Sequence, residues 1–203
     1  MIQGSDEWHL ARLGKVTASR ISDVMMKPSA AGYQNYMAEL VCERLTGNPT
    51  ETFQSAAMAH GNETEPQARA MYELITATDV DEVGFVEHPQ IAMAGASPDG
   101  LIGADGGLEI KCPQQNKHMK NLTGAKIDRG YMLQMQWNMA CTGRFWWDFV
   151  SFNSSFPERL QCHIQRVSRD PDAVVEITKA VTDFISECDR LFEVLMKKSE
   201  AAA

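Results

Sequence analysis

Apolar and polar positions recur along this chain with two different periods, and the switches between them mark its elements. From Asp170 to Lys198, Val174, Ile177, Val181, Phe184, Ile185, Cys188, Leu191, Phe192 and Leu195 fall at helical spacing, which predicts a long amphipathic helix with one face on a core. Residues 106–112 alternate strictly instead. Leu108, Ile110 and Cys112 then share one face of a strand, and Glu109 and Lys111 share the other. Phe145 to Phe152 is rich in aromatic and β-branched residues and reads as a strand, with 159–167 as its pairing partner, and 83–93 is also strand-like. Helices are predicted over 5–13, started by Ser5 and stopped by Gly14, and over 17–26, ending before Pro28. Three more are predicted: 34–46, closed by Gly47 and Pro49; 65–76, with Pro66 in its first turn; and 130–141. Helices, then strands interrupted by a helix, then a helix make an α/β domain with a small mixed sheet flanked by helices.

At 203 residues, with no linker rich in Pro, Gly or Ser, the chain reads as a single domain over 1–203, with Ser199 to Ala203 expected to fray. No stretch approaches the roughly 18 uninterrupted apolar residues of a membrane helix. Met1 to Glu7 is polar and acidic, unlike a secretory signal, so the expected location is the cytoplasm. Cys42, Cys112, Cys141, Cys162 and Cys188 are odd in number and widely spaced. They suit reduced thiols, mostly in core positions, rather than a zinc site or a disulfide framework. The formal charge of −8 argues against a protein that is basic all over. It leaves room for a basic channel inside an acidic exterior.

The chemistry concentrates in Ser97-Pro98-Asp99-Gly100 and the strand that follows it. Asp105-Gly106 is a strong hairpin-turn signal, and a turn there folds Asp99 back beside that strand. Two carboxylates, Asp99 and Glu109, then converge with the ammonium of Lys111. Each piece alone has an ordinary reading, since Ser-Pro-Asp-Gly is a good turn sequence and alternating Glu and Lys decorate any half-exposed strand. Joined by a hairpin, they suit phosphodiester hydrolysis. Magnesium takes oxygen ligands and needs few of them from protein, because water and substrate phosphate complete its octahedron. Asp99, Glu109 and the backbone carbonyl of Ile110 can serve, and Lys111 can orient a water or help deprotonate it.

This arrangement resembles the PD-(D/E)xK nuclease motif, and the chain more closely resembles the lambda exonuclease (YqaJ-type) family of phage recombination nucleases. Four further pieces match in order: Trp8-His9-Leu10-Ala11-Arg12-Leu13-Gly14 with Thr17-Ala18-Ser19; Gly61-Asn62-Glu63-Thr64-Glu65; Ser97-Pro98-Asp99-Gly100; and Tyr131-Met132-Leu133-Gln134-Met135-Gln136. The resemblance implies Asp99, Glu109 and the Ile110 carbonyl as metal ligands, Glu65 as a further acid at a two-metal site, and Lys111 as the catalytic lysine. It implies magnesium, with manganese as a substitute. Gln134 would be an active-site group, with Gln136 as the alternative. Arg12, Ser19 and Ser97 would hold a DNA 5′-phosphate. The implied activity is processive 5′→3′ digestion of one strand of duplex DNA, leaving a 3′ overhang, by a ring-shaped homotrimer that cooperates with a single-strand annealing protein.

Residues 27–35 align poorly with the family's equivalent loop, which leaves Met58 and Tyr33 as candidates for opening the duplex. Lys111, Lys117, Lys120, Lys126 and Arg129 form a basic segment that suits either a backbone-tracking groove or a solvated loop. Trp8 is a candidate for stacking on DNA or for the core. Two rival readings stand beside the exonuclease: an endonuclease or junction-resolving nuclease on the same core, and a non-catalytic DNA-binding or assembly protein.

Overall fold

The computed structural model describes residues 1–50 and 56–201, with the side chains of 56–58 and of residue 62 left out. The N-terminal helix α1 (Asp6–Arg12) starts where Ser5 accepts a hydrogen bond from the Trp8 N–H and has Asp6 and Glu7 in its first turn, as capping and the helix dipole favour. The helix expected over 17–26 is broken. Val16–Thr17 is strand β1, Ala18–Arg20 is a 3-10 turn, and only Ile21–Val24 is α-helical (α2). Tertiary pairing overrides local propensity here, because β1 runs parallel to β3 (Ala94–Ala96), Val16 against Ala94 and Thr17 against Gly95.

Helix α3 (Ala31–Thr46) begins three residues before the expected 34 and ends at Gly47, whose φ of 67° is the left-handed stop that glycine adopts freely. Helix α4 (Ala56–Thr76) begins well before the expected 65, so Pro66 lies inside it rather than in its first turn. The residues ahead of Pro66 include good helix formers, and one missing N–H does not end a helix supported by packing. Of the stretch 83–93, only β2 (Val86–Glu87) is strand. The chain then turns back at Pro89, with His88 N–H donating to the Ala94 carbonyl, and β2 pairs antiparallel with β3.

The second sheet holds the site. Its order is β4 (Gly100–Ile102), β5 (Gly106–Lys111), β6 (Trp146–Phe152), β7 (Cys162–Ser168). The β5–β6 pair is parallel and its neighbours are antiparallel, so the expected mixed sheet is present. The β4–β5 turn is a three-residue loop, Gly103 to Asp105, with the positive φ at Gly103. Gly106 lies in the strand, where it makes room for Trp146: an added Cβ would meet that indole at 2.1 Å. The parallel crossover from β5 to β6 carries α5 (Gln115–Leu122) and α6 (Arg129–Thr142). Helix α5 occupies part of the basic segment that had no element assigned to it.

Helix α4 covers one face of this sheet: Ala68 and Tyr72 pack with Ile102, Leu108, Ile110, Val150 and Phe152. Helix α6 covers the other, with Met135 and Met139 on Trp147, Phe149 and Val167. Its opposite side joins the largest cluster, where Trp137 and Cys141 meet Tyr36, Ile21, Val181 and Phe184 from the helical layer. Helix α7 (Pro171–Ala201) closes that layer with the apolar stripe expected of it and continues to Ala201. All five cysteines are free; Cys141 and Cys188 are buried in the core and Cys112 and Cys162 pack half-buried against it, so only Cys42, which is exposed, departs from the expected core placement.

Candidate active site

Asp99 precedes β4, and its Oδ2 accepts the Ile110 N–H at 2.6 Å, bridging the hairpin. Side chains of β5 alternate as expected, but neither face is exposed. Leu108 and Ile110 lie under α4, while Glu109, on the α6 face, is fully buried. A central strand covered by a helix on each side leaves no half-exposed face, which removes the ordinary reading of this Glu–Lys alternation. Lys111 Nζ stands 2.6 Å from Glu109 Oε1, and Asn138 of α6 donates from Nδ2 to Glu109 Oε2 at 3.1 Å. Among the described residues that ion pair with Lys111 is all Oε1 has.

Glu65 reaches the same site from α4. Arg69, one turn on, holds it at 2.7 Å, donates to the Asp99 carbonyl at 3.2 Å and pairs with Glu82 at 2.9 Å. Burial pushes the Glu65 carboxyl up to about 7, with the nearby Asp99 charge adding to the effect. Burial likewise pushes Glu109 up to about 7, against the pull of Lys111. Asp99 is also raised by burial, opposed by Lys111 and by the Ile110 N–H. Lys111 is held above its ordinary value: burial would lower it, but Glu109 and Asp99 outweigh that. Three carboxyls that resist ionising together are waiting for positive charge. An Oε1 held only by the Lys111 ion pair and an all-oxygen donor set fit a hard divalent cation. Among the described residues, no group of three His, Cys, Asp or Glu side chains is gathered tightly enough to hold an ion unaided. That suits a cation completed by water, a backbone carbonyl and phosphate.

Asp99, Ile110 and Lys111 line a cavity of about 950 Å³ together with Glu65, Gln134, Trp8, Arg12, Ser19, Ser97 and Lys117. Arg12 and Ser97 meet directly: Arg12 Nη1 donates to Ser97 Oγ at 3.1 Å, and Trp8 Nε1 donates to the same oxygen at 3.0 Å. The Arg12 guanidinium lies 3.9 Å from the Trp8 ring centroid, so Trp8 belongs to the cleft wall and not to the core. Ser19 is exposed on the 3-10 turn, so no long helix start stands behind it to add a dipole. An adjoining cavity of about 950 Å³ shares Trp8, Arg12, Ser19, Glu65 and Asp99 and extends toward Lys15 and Arg20.

Gln134 faces the cleft, whereas Gln136 is buried and tied to backbone, donating to the Ser168 carbonyl and accepting from the Asp170 N–H, each at 2.9 Å. Lys117 lines the cleft and Lys120, on the same helix, does not. Tyr33 is buried against Phe184, with ring centroids 4.8 Å apart, and is unavailable to open a duplex; the Met58 side chain lies outside the described residues. Sequence reasoning missed Asn138 and Arg69, and gave no role to Tyr131, whose ring centroid is 5.0 Å from Lys111 Nζ. Tyr131, Gln134 and Asn138 sit at three- and four-residue spacing on α6, a polar seam that the spacing alone would have revealed.

The YqaJ-like viral recombinase domain matches residues 7–145. A search of curated proteins finds no match. Among solved structures, the alkaline exonuclease LHK-Exo of Laribacter hongkongensis is 47% identical, with a TM-score of 0.92 over 98% of this chain and 100% of that one. LHK-Exo in complex with dAMP matches equally well, at 48% identity. A phage-related exonuclease of Haemophilus somnus 129PT shares the fold at 16% identity, TM-score 0.67, over 89% of this chain and 96% of that one. The chain therefore belongs to the YqaJ-like viral recombinase family, and its role is that of a nuclease in recombination.

Proposed function

We propose that the protein is a metal-dependent exonuclease that digests one strand of linear duplex DNA from its 5′ end, leaving a 3′ overhang for strand annealing. The observation that carries this reading is one cavity lined by Asp99 and Lys111 and by the Arg12–Ser97 pair, with Glu109 buried behind it against Lys111. Asp99, Glu109 and the Ile110 carbonyl would hold magnesium or manganese, with Glu65 beside a second ion. Such an ion, when bound, polarises the scissile phosphate and acidifies a water. Lys111, kept as an ammonium by two carboxylates, neutralises charge on the phosphate and orients the attacking water. Gln134 contacts the reacting strand from α6. Arg12 offers a guanidinium fork to the oxygens of a terminal phosphate, with Ser97 already bonded to it and Ser19 on the rim.

Direction and persistence follow from where the bond breaks. Water adds to the phosphorus and the 3′-oxygen of the terminal nucleotide leaves, so a 5′-mononucleotide departs and the shortened strand carries a new 5′-phosphate for the same pocket. Lys117 on α5 and Trp8 contact the DNA backbone from the cleft wall, and Lys120, outside the cleft, contributes charge alone. A closed homotrimer would keep an acidic protein on its track, and a single-strand annealing protein would take the overhang. The test is digestion of linear duplexes with 5′-phosphate or 5′-hydroxyl ends, and of a closed circle, with magnesium. The phosphorylated linear duplex should be consumed fastest and the circle spared. Cleavage of the circle would favour the endonuclease reading, and no cleavage of any substrate would favour a non-catalytic protein.

A further inference from the structure

Each acid in the cleft has a dedicated protein partner, and the partner of Glu109 stands out. Asn138 is fully buried in the middle of α6, between Trp137 and Met139. Its Nδ2 donates to Glu109 Oε2 at 3.1 Å, while its own Oδ1 is buried without a hydrogen-bond partner. A buried amide with one unmet oxygen is a poor choice for stability, since such a group loses its water and gains no partner. A leucine of similar volume would leave no amide oxygen unmet, at the expense of the donor to Glu109 Oε2. The amide therefore serves something other than packing.

We propose that Asn138 is the positioning residue of the metal site: by engaging Oε2 from behind, it fixes the Glu109 rotamer so that Oε1 is presented to the cation and to Lys111. The geometry supports a division of labour between the two oxygens. Oε2 faces the helix and accepts from Asn138, whereas Oε1 has only the Lys111 ammonium, at 2.6 Å. A carboxylate with both oxygens free would rotate about its last torsion at little cost, since such sp³–sp² torsions are broad. Held groups behind metal ligands typically contribute ten- to a hundredfold in affinity. Asn138 touches neither substrate nor ion and acts through Glu109.

The inference rests on the reading of Glu109 as a metal ligand, and the experiment separates the two. Asn138→Leu, Glu109→Gln and the double variant are titrated calorimetrically with Mn²⁺ alone, and their melting temperatures are recorded with and without Mn²⁺. Asn138→Leu should melt close to the wild type without metal, yet bind Mn²⁺ about ten- to a hundredfold more weakly and lose most of the metal-induced stabilisation. At saturating metal its digestion rate should largely recover, with an unchanged KM for DNA. In the Glu109→Gln background the same substitution should change nothing further. If Glu109→Gln leaves Mn²⁺ binding intact, the metal-site reading fails. If Glu109→Gln weakens binding and Asn138→Leu does not, the positioning role alone is overturned. Should Asn138→Leu not fold, Asn138→Ser, whose hydroxyl is too short to reach Oε2, takes its place: weakened Mn²⁺ binding supports the positioning role, and unchanged binding overturns it.

Discussion

In the proposed reaction, Lys111 is the residue on which the chemistry turns. Its ammonium lies 2.6 Å from a carboxylate that has no other cation among the described residues, so removing it changes the local charge balance. Lys111→Ala should reduce digestion by at least about a hundredfold, the lower end of what a positioned proton-handling group contributes. The fold should survive, because Glu109 can take up a proton in place of its lost partner. Single-turnover digestion, with duplex binding measured separately, checks this; near-wild-type turnover would remove Lys111 from the mechanism. In the proposed function, Arg12 carries the choice of end. Losing one charge-assisted contact of roughly 1.5–3 kcal/mol lowers preference by about ten- to a hundredfold. Arg12→Ala should therefore digest 5′-phosphate and 5′-hydroxyl duplexes at nearly equal rates, and a variant that still prefers the phosphate would place the pocket elsewhere.

At the scale of elements, β5 depends on its parallel neighbour. Gly107 pairs with Trp147, and a Cβ at Gly107 would meet that indole at 2.3 Å. Trp147 is fully buried under α6 and cannot retreat. Gly107→Ala should cost about 1–3 kcal/mol by overpacking. For a chain of this size that is a melting-point drop of roughly 2–12 °C, and because Glu109 and Lys111 follow on the same strand, the metal-induced stabilisation should shrink with it. Differential scanning fluorimetry with and without Mn²⁺ reads both effects. An unchanged melting point would mean that the indole is not held as described. The hairpin that carries Asp99 has its own clamp: Arg144 Nη1 donates to the carbonyls of Ile102, Gly103 and Gly106 at 3.1, 2.7 and 2.7 Å.

For the whole molecule, the buried acids couple metal, protons and stability. Glu65 and Glu109 rise from an ordinary 4.5 to about 7 in the metal-free fold. Between those values the native state holds more protons than the unfolded chain, so stability from these groups is complete below 4.5 and is lost as pH rises through about 7. A metal ion held by these acids would take the deprotonated form and reverse the trend. Mn²⁺ binding should release protons at about pH 6 and almost none at about pH 8, with affinity rising across that interval. Calorimetry in buffers of different ionisation enthalpy measures the proton count; equal release at both pH values would deny that these acids hold the ion. Assembly is a property of the same scale. Closed symmetric oligomers are common, and a ring supplies a hold on DNA that phosphate contacts lose in salt. Light scattering at micromolar concentration should give three times the chain mass, and a monomer mass with and without DNA would count against the ring.

Much of this molecule is legible in residue order, and the rest is not. The alternation of residues 106–112, the stripe of α7 and the Asp99–Glu109–Lys111 spacing are local patterns, so the chain states them directly. Contacts between distant segments are another matter. Val16–Thr17 became strand because β3 lay beside it, and α4 ran through Pro66 on the support of the sheet beneath. Gln134 and Gln136 stand two residues apart, and only the packing of α6 sends one to the cleft and the other to the start of α7. The sequence by itself determined which groups can do chemistry and which face of each element they share. The tertiary structure alone decided how deeply they are buried, since burial is set by what covers a strand. That depth makes Glu109 a costly carboxylate in need of an amide behind it and a cation before it.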